Sequence, residues 1–268
     1  MRATDATVAM AEYISGSEEK FVSRMNKKVK ELGLKNTHFS NCTGLDEKNH
    51  YSSAYDLAII ARELVVNHPE ILRFSSIYED YLRENTSNKF WLVNTNKLIR
   101  QYEGVDGLKT GHTDDALYCL AATIKKNDLR LIGIILGESD SKVRNREMID
   151  LLEYGFNNTK VVNLKNRGEV VKNISLKKAD KNKIKALLKD NLVVIEESGI
   201  KKKKYSYEVN INDIKLPINT GDKIGIIKVL YNKKVVSSSD LVSDSSVRSL
   251  DLINLYWNNL KDIVFGNF

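Results

Sequence analysis

Val105-Asp106-Gly107-Leu108-Lys109-Thr110-Gly111-His112-Thr113 is where this chain changes period. Val105 to Lys109 reads as a strand running into Thr110-Gly111, and Tyr118 to Ile124 is a short apolar run. The polar turn Lys125-Lys126-Asn127-Asp128 then returns the chain into Leu129 to Leu136, which is rich in branched residues. Two such runs about a polar turn form a hairpin, so three neighbouring antiparallel strands are predicted. A helix is expected to follow from about Lys142 to Tyr154, with Met148, Leu151 and Leu152 apolar and Gly155 at its end.

Upstream the pattern is helical. Thr4 and Asp5 can cap a helix through Ile14. Ser17 can cap a second, whose Phe21, Met25, Val29 and Leu32 share one face before Gly33 ends it. Ser53-Ala54-Tyr55-Asp56 has the form of a capping box, and Leu57, Ile60, Ala61 and Leu64 make the apolar stripe behind it. Helices and antiparallel strands in separate blocks argue for an α+β domain over residues 1–159. Short strand-like segments at 192–195, 205–209, 223–229 and 234–236 then predict a small β-rich domain over 160–246.

The tail, 247–268, changes period again. Leu250, Ile253, Trp257, Leu260 and Val264 fall on one helical face, opposed by Asp251, Asn254, Asn258 and Lys261. An interfacial membrane helix and a helix packed on protein both fit that stripe.

Composition excludes several classes. The chain has 268 residues, 42% hydrophobic and 29% charged, which is ordinary for a folded protein. The net charge of +7 favours anionic partners, and much of the excess lies between Lys160 and Lys204. Attraction to nucleic acid, anionic lipid or an acidic wall polymer is one reading, and a solvated lysine-rich face is the plainer one. No aromatics interleave with the lysines and no nucleic-acid motif is present, so no nucleic-acid partner is expected. Cys42 and Cys119 are too few for a disulfide framework, and Cys119 is expected as a small core residue. His38, His50, His68 and His112 form no metal-ligand cluster, so neither metal nor cofactor is expected. Met1-Arg2-Ala3-Thr4-Asp5 has no apolar signal core and no run is long enough to span a membrane. Expressed as given, the chain is expected in the cytoplasm.

A Lys-Thr-Gly tripeptide alone is a weak signal, but its setting here is rich. Leu32-Gly-Leu-Lys-Asn-Thr-His-Phe39, Gly44-Leu-Asp, His50-Tyr-Ser-Ser-Ala-Tyr-Asp-Leu57, the 105–113 strand and Asn145-Arg146-Glu147 together resemble the serine D-Ala-D-Ala carboxypeptidases. These are the low-molecular-mass penicillin-binding proteins. The resemblance runs from Thr4 nearly to Phe268. It implies an incomplete penicillin-binding/β-lactamase-like transpeptidase domain, then the small β domain and an amphipathic helix. It also implies acyl transfer, in which a serine of a Ser-x-x-Lys motif attacks the carbonyl between two D-alanines. The partners implied are peptidoglycan stem peptides ending in D-Ala-D-Ala and β-lactams, at an extracytoplasmic, membrane-associated location.

Carried over residue by residue, Lys109 would polarise the proton-transfer network. Thr110 would bond the substrate's terminal carboxylate, and Gly111 would let the substrate backbone approach. The His112 N–H would supply half of the oxyanion hole, with Thr113 beside it on the substrate-binding strand. Arg146 would help to hold the carboxylate, which suits a guanidinium fork. His38 and His50 match family positions and are read as structural.

The departures from the family are large. Ser-x-x-Lys tetrads start at Ser17, Ser139, Ser175 and Ser198, all beyond the family's Ser-x-Asn position. That position itself reads Arg2-Ala3-Thr4, and the usual Ala-Gly-Tyr is Ala116-Leu117-Tyr118. The chain is therefore expected to lack the nucleophile region and to be inactive alone. A split or truncated enzyme, a non-catalytic stem-peptide-binding pseudoenzyme, and a membrane-proximal stalk remain as functional readings. Without opening strands, the central sheet is expected to expose an edge.

Overall fold

Residues 4–199 and 203–250 are described by a computed structural model of the chain. They divide into two units that meet between Asn158 and Thr159.

The first unit opens with α1 (Thr4–Ser15) and α2 (Glu18–Glu31). Ser17 caps α2 by accepting from the Lys20 N–H at 3.3 Å, and Gly33, at φ +69°, lets the chain turn out of its far end. Ser53 caps α3 (Ala54–Asn67) by accepting from the Asp56 N–H at 3.2 Å. Asp56 does not close the box. Its carboxylate is 2% exposed and turns inward, accepting from the Asn36 N–H and the Thr37 hydroxyl, each at 2.8 Å. A short α4 (Leu72–Ser75), a hairpin of β1 (Glu79–Leu82) and β2 (Phe90–Val93), and α5 (Leu98–Gln101) lead to the central sheet.

That sheet has three strands in the order β3 (Val105–Thr113), β4 (Leu117–Lys126), β5 (Leu129–Glu138), all antiparallel as expected. Asn127, at φ +53°, makes the tight turn between β4 and β5. Behind the sheet lies α6 (Ser141–Asn158), whose buried Met148 and Leu152 pack with Leu98, Val105, Leu120, Ala122 and Ile124. Each of these side chains larger than alanine stabilises the unit by roughly 1.5–3 kcal/mol relative to exposure. The helix does not end at Gly155. That residue instead brings α6 close to β5, because a Cβ there would sit 2.7 Å from Leu131 Cδ1. Gly133 on β5 plays the reciprocal part, since its Cβ would meet Met148 Sδ at 2.5 Å.

Arg130 ties the three strands together. Its guanidinium donates to both carboxylate oxygens of Asp106 at 2.8 and 2.7 Å and to the buried Thr123 hydroxyl at 2.6 Å. On its outer side β5 pairs with no strand among the described residues. A cavity of about 310 Å³ lies along it, lined by Ala54 and Ala58 of α3, Leu131 to Ile134, and Leu151, Leu152 and Gly155 of α6.

The second unit is all β. A two-stranded ladder joins β6 (Thr159–Lys165) to β9 (Leu192–Glu197). A five-stranded antiparallel sheet combines β7 (Val170–Ser175), β8 (Lys183–Leu188), β10 (Ser206–Ile211), β11 (Lys223–Tyr231) and β12 (Lys234–Ser243) in the order β10-β11-β12-β8-β7. Its core includes Ile184, Ala186, Leu188, Leu192, Val194, Ile227, Val229 and Leu241. Buried Glu196 accepts from the Tyr205 hydroxyl at 2.8 Å and pairs with Lys160 at 3.5 Å. Burial, with that bond second, pushes the Tyr205 phenol up to about 12.

The expected tail helix over 247–268 differs where it can be seen. Val247 and Ser249 are extended and bridge to Ile218 and Ala179. Residues 251–268, which carry most of the apolar stripe, lie outside the described residues. No described helix is long and apolar enough to cross a membrane.

Candidate active site

Past Gly107 the β3 strand emerges from the core, and Lys109, Gly111 and His112 are exposed. The antiparallel register sets Lys109 against Ala121, Thr110 against Leu120 and Gly111 against Cys119. Lys109 Nζ folds back onto the Thr110 carbonyl. The imidazole of His112 packs on the Tyr118 ring at 4.1 Å between centroids. Thr113 is committed to the turn, its Oγ1 accepting from the Ala116 N–H at 2.9 Å. Among the described residues no atom requires glycine at 111, because a Cβ there would find only Cys119 Cβ within 4 Å, at an ordinary 3.6 Å. Cys119 is half-buried rather than a core residue, and its thiol donates to the Ala116 carbonyl at 3.2 Å.

Thr110 has a partner that sequence reasoning missed. Its hydroxyl lies 2.5 Å from that of Thr95, in the loop between β2 and α5. The loop is pinned by Asn96, which is 1% exposed and donates from Nδ2 to the Gly107 carbonyl at 3.1 Å. Asn94 holds its other side by donating to the Ser75 and Ile77 carbonyls at 3.2 and 3.0 Å and accepting from the Asn96 N–H at 2.9 Å. The signal available in the sequence was the polar run Asn94-Thr95-Asn96 just before an apolar turn of helix.

The α6 arginines divide. Arg146 is exposed, and its charge acts on Glu138 and Asp140. Arg144 is 4% exposed and directed at the sheet. It donates to the Cys119 carbonyl at 3.5 Å and to Asn145 Oδ1 at 2.9 and 3.2 Å. Its partners are therefore neutral, no ion pair to it is present among the described residues, and burial pulls its pKa down. Near this corner Glu138 ends β5, opposite Tyr118. A hydrogen bond to Glu147, followed by burial and the Glu147 charge, raises the Glu138 pKa.

Leu117 takes φ +55°, a left-handed conformation that suits glycine and costs a branched side chain about 1 kcal/mol. His38 and His50 hold the 38–51 loop. His38 Nδ1 bonds the Asn49 carbonyl at 2.7 Å, while His50 Nδ1 accepts from the Ser40 N–H at 3.1 Å, and burial lowers the His50 pKa. No group of three His, Cys, Asp or Glu side chains among the described residues could hold a metal.

Residues 2–140, just over half of the chain, match the D-alanyl-D-alanine carboxypeptidase family. The chain belongs to that family. Residues 160–249 match the C-terminal domain of penicillin-binding protein 5, so the carboxypeptidase-type unit is followed by the β domain that accompanies it there. D-alanyl-D-alanine carboxypeptidase DacF of Bacillus subtilis is 42% identical over 96% of this chain and 66% of its own length. DacA of Haemophilus influenzae is 35% identical over 98% of this chain and 67% of its own length. The chain thus spans about two thirds of the length of these curated relatives. The crystal structure of penicillin-binding protein 5 from Haemophilus influenzae superposes with a TM-score of 0.61 at 32% identity, covering 92% of this chain and 71% of that one. Penicillin-binding protein D2 of Listeria monocytogenes, in its cefotaxime-bound form, superposes at 0.53 with 33% identity, covering 58% and 62%.

Proposed function

We propose that this chain supplies the substrate-holding wall of a serine-type D-Ala-D-Ala carboxypeptidase, the peptidoglycan-trimming reaction that removes the terminal D-alanine through an acyl-enzyme. The observation that carries this reading is the buried Arg144 guanidinium, without a carboxylate partner among the described residues, behind a strand that exposes Lys109, Gly111 and His112. A buried cation left without an anion is costly, and a substrate carboxylate is the group that would compensate it.

In this reading Thr110 donates its hydroxyl proton to the terminal carboxylate. Gly111 leaves room for the substrate backbone, and the His112 N–H faces the developing oxyanion. Lys109 supplies the positive charge for proton transfer. The carboxylate-holding role given to Arg146 moves two positions, to Arg144, because Arg144 is the buried one and Arg146 is exposed. Thr113 closes the β3–β4 turn and supports the strand indirectly.

In this reading the nucleophile is not Ser17. Ser17, the first of the Ser-x-x-Lys tetrads, has its hydroxyl occupied as the α2 cap. The chain alone is therefore expected to bind stem peptides and β-lactams without forming an acyl-enzyme. Fluorescent penicillin added to the purified chain should leave no label after denaturation, while a D-Ala-D-Ala peptide should bind reversibly, less well in Thr110→Val. A covalent adduct would overturn the first expectation, and equal binding of L-Ala-L-Ala and D-Ala-D-Ala peptides the second.

A non-catalytic stem-peptide sensor is the second reading, favoured by Leu117 in the left-handed position and by Arg2-Ala3-Thr4. DNA immediately upstream that encodes a Ser-x-x-Lys region favours the split enzyme, and its absence favours the sensor. Extracytoplasmic location, with the 250–268 stripe lying on the membrane surface, completes the proposal.

A further inference from the structure

The β7–β8 hairpin, residues 170–188, carries six lysines against a single acidic side chain, Asp180. Lys172, Lys177, Lys178, Lys181, Lys183 and Lys185 are all exposed. The alternation in β8 is the cause, since Ile184, Ala186 and Leu188 fill the core and force the intervening lysines outward. Ion pairs in this unit, among the described residues, use Lys160, Lys165 and Lys223 instead. Asp180 is drawn off too, accepting from the Arg248 N–H at 2.9 Å.

The end of the described chain is fastened to this same hairpin. Asp180 N–H donates to the Arg248 carbonyl at 3.0 Å, Leu250 N–H to the Lys178 carbonyl at 3.0 Å, and Ala179 bridges Ser249. The described chain thus reaches Leu250 hydrogen-bonded to the turn of this hairpin, and the apolar stripe Leu250, Ile253, Trp257, Leu260 and Val264 begins there in the sequence. A lysine cluster in isolation is a solvated face. A lysine cluster at the root of an apolar stripe is the pairing that holds a protein on an anionic bilayer, where each lysine strengthens adsorption by about fivefold.

We propose that the 170–188 hairpin is a membrane-facing surface that takes anionic phospholipid headgroups, together with Arg248. The proposal builds on the membrane reading of the 250–268 stripe but assigns a separate, electrostatic contact to the folded β domain. A bilayer fits better than a soluble acidic polymer because the lysine-rich hairpin itself holds Leu250, the first residue of the apolar stripe, so the sequence joins a cationic and an apolar contact at one place.

The test is flotation of the full chain with vesicles of phosphatidylcholine alone or with about 30% phosphatidylglycerol, at low and high salt. Wild type should partition to the anionic vesicles, with binding falling steeply as salt rises. Replacing Lys177, Lys178, Lys181, Lys183 and Lys185 by Gln should cut that partition by at least about tenfold. Single Lys178→Gln and Lys183→Gln variants should each give a smaller loss, and a control exchange at Lys215, Lys233 and Lys234 should stay within about twofold. An Ile253→Asp/Leu260→Asp variant separates the two contacts, because it should lose salt-resistant binding and keep the salt-sensitive part. Wild-type partition of the five-Gln variant overturns the proposal, even if the stripe variant fails to bind. Binding to soluble polyphosphate with none to anionic vesicles also overturns it, and assigns the hairpin to an acidic polymer.

Discussion

Replacing Arg144 by methionine should make the protein more stable and its proposed site worse. The guanidinium is 4% exposed, and its hydrogen bonds go to a backbone carbonyl at 3.5 Å and to Asn145 at 2.9 and 3.2 Å. Each neutral bond of this kind contributes about 1 kcal/mol. Against that stands the desolvation of a full charge, several kcal/mol after relaxation, with no anion paired to it among the described residues. Methionine keeps most of the volume without the charge, so the exchange should stabilise the first unit by ~1–3 kcal/mol. For a unit of this size that raises Tm by ~2–10 °C in calorimetry. In the same variant, affinity for a D-Ala-D-Ala peptide should fall by ~30-fold or more, the cost of losing a buried charge-assisted contact. C-terminal amidation of the peptide should remove most of the difference between variant and wild type. A fall in Tm with unchanged peptide affinity would refute the reasoning and make Arg144 a structural residue.

Two further outcomes are expected. Thr95→Val removes the 2.5 Å partner of the Thr110 hydroxyl without changing shape, so peptide affinity measured by calorimetry should fall by ~2- to 12-fold, with Thr95→Ser restoring it. The Glu138 carboxyl has a folded-state pKa above its usual 4.5, so the stability it contributes is complete below that value and is lost as pH rises through the folded pKa. Thermal melts between pH 4 and 7 should therefore show wild type losing ground to Glu147→Gln as pH rises, and parallel curves would count against the shared proton.

Local chemistry made much of the fold readable. The Ser17 and Ser53 caps, the Gly33 stop and the β4–β5 turn each depend on residues a few positions apart, and all stand where the pattern put them. The second unit was half legible. β6, β7 and β8 are short and interrupted by Lys and Asn, although Lys-Ile-Lys-Ala-Leu-Leu in β8 carried an alternation that could have been used. Gly155 was misread as a helix stop because a glycine near a helix end usually takes positive φ, whereas this one serves close packing on Leu131.

The site divides along the same line. Lys109-Thr110-Gly111 is contiguous, so a strand presents it in one piece and its family could be read from the chain. Arg144 and Arg146 are two positions apart on a helix, where a step of two turns a side chain to roughly the opposite face. Only the packing of α6 on β4 and β5 decides that Arg144 faces inward and Arg146 outward. Thr95 reaches Thr110 across 15 residues, and Arg248 reaches Asp180 across 68. The sequence by itself determined the helices, the antiparallel strands and the tripeptide, because those rest on short-range periodicity. The tertiary structure alone decided which cation lies buried behind that tripeptide and which hairpin holds the start of the apolar stripe, because both follow from contacts between segments that the chain keeps far apart.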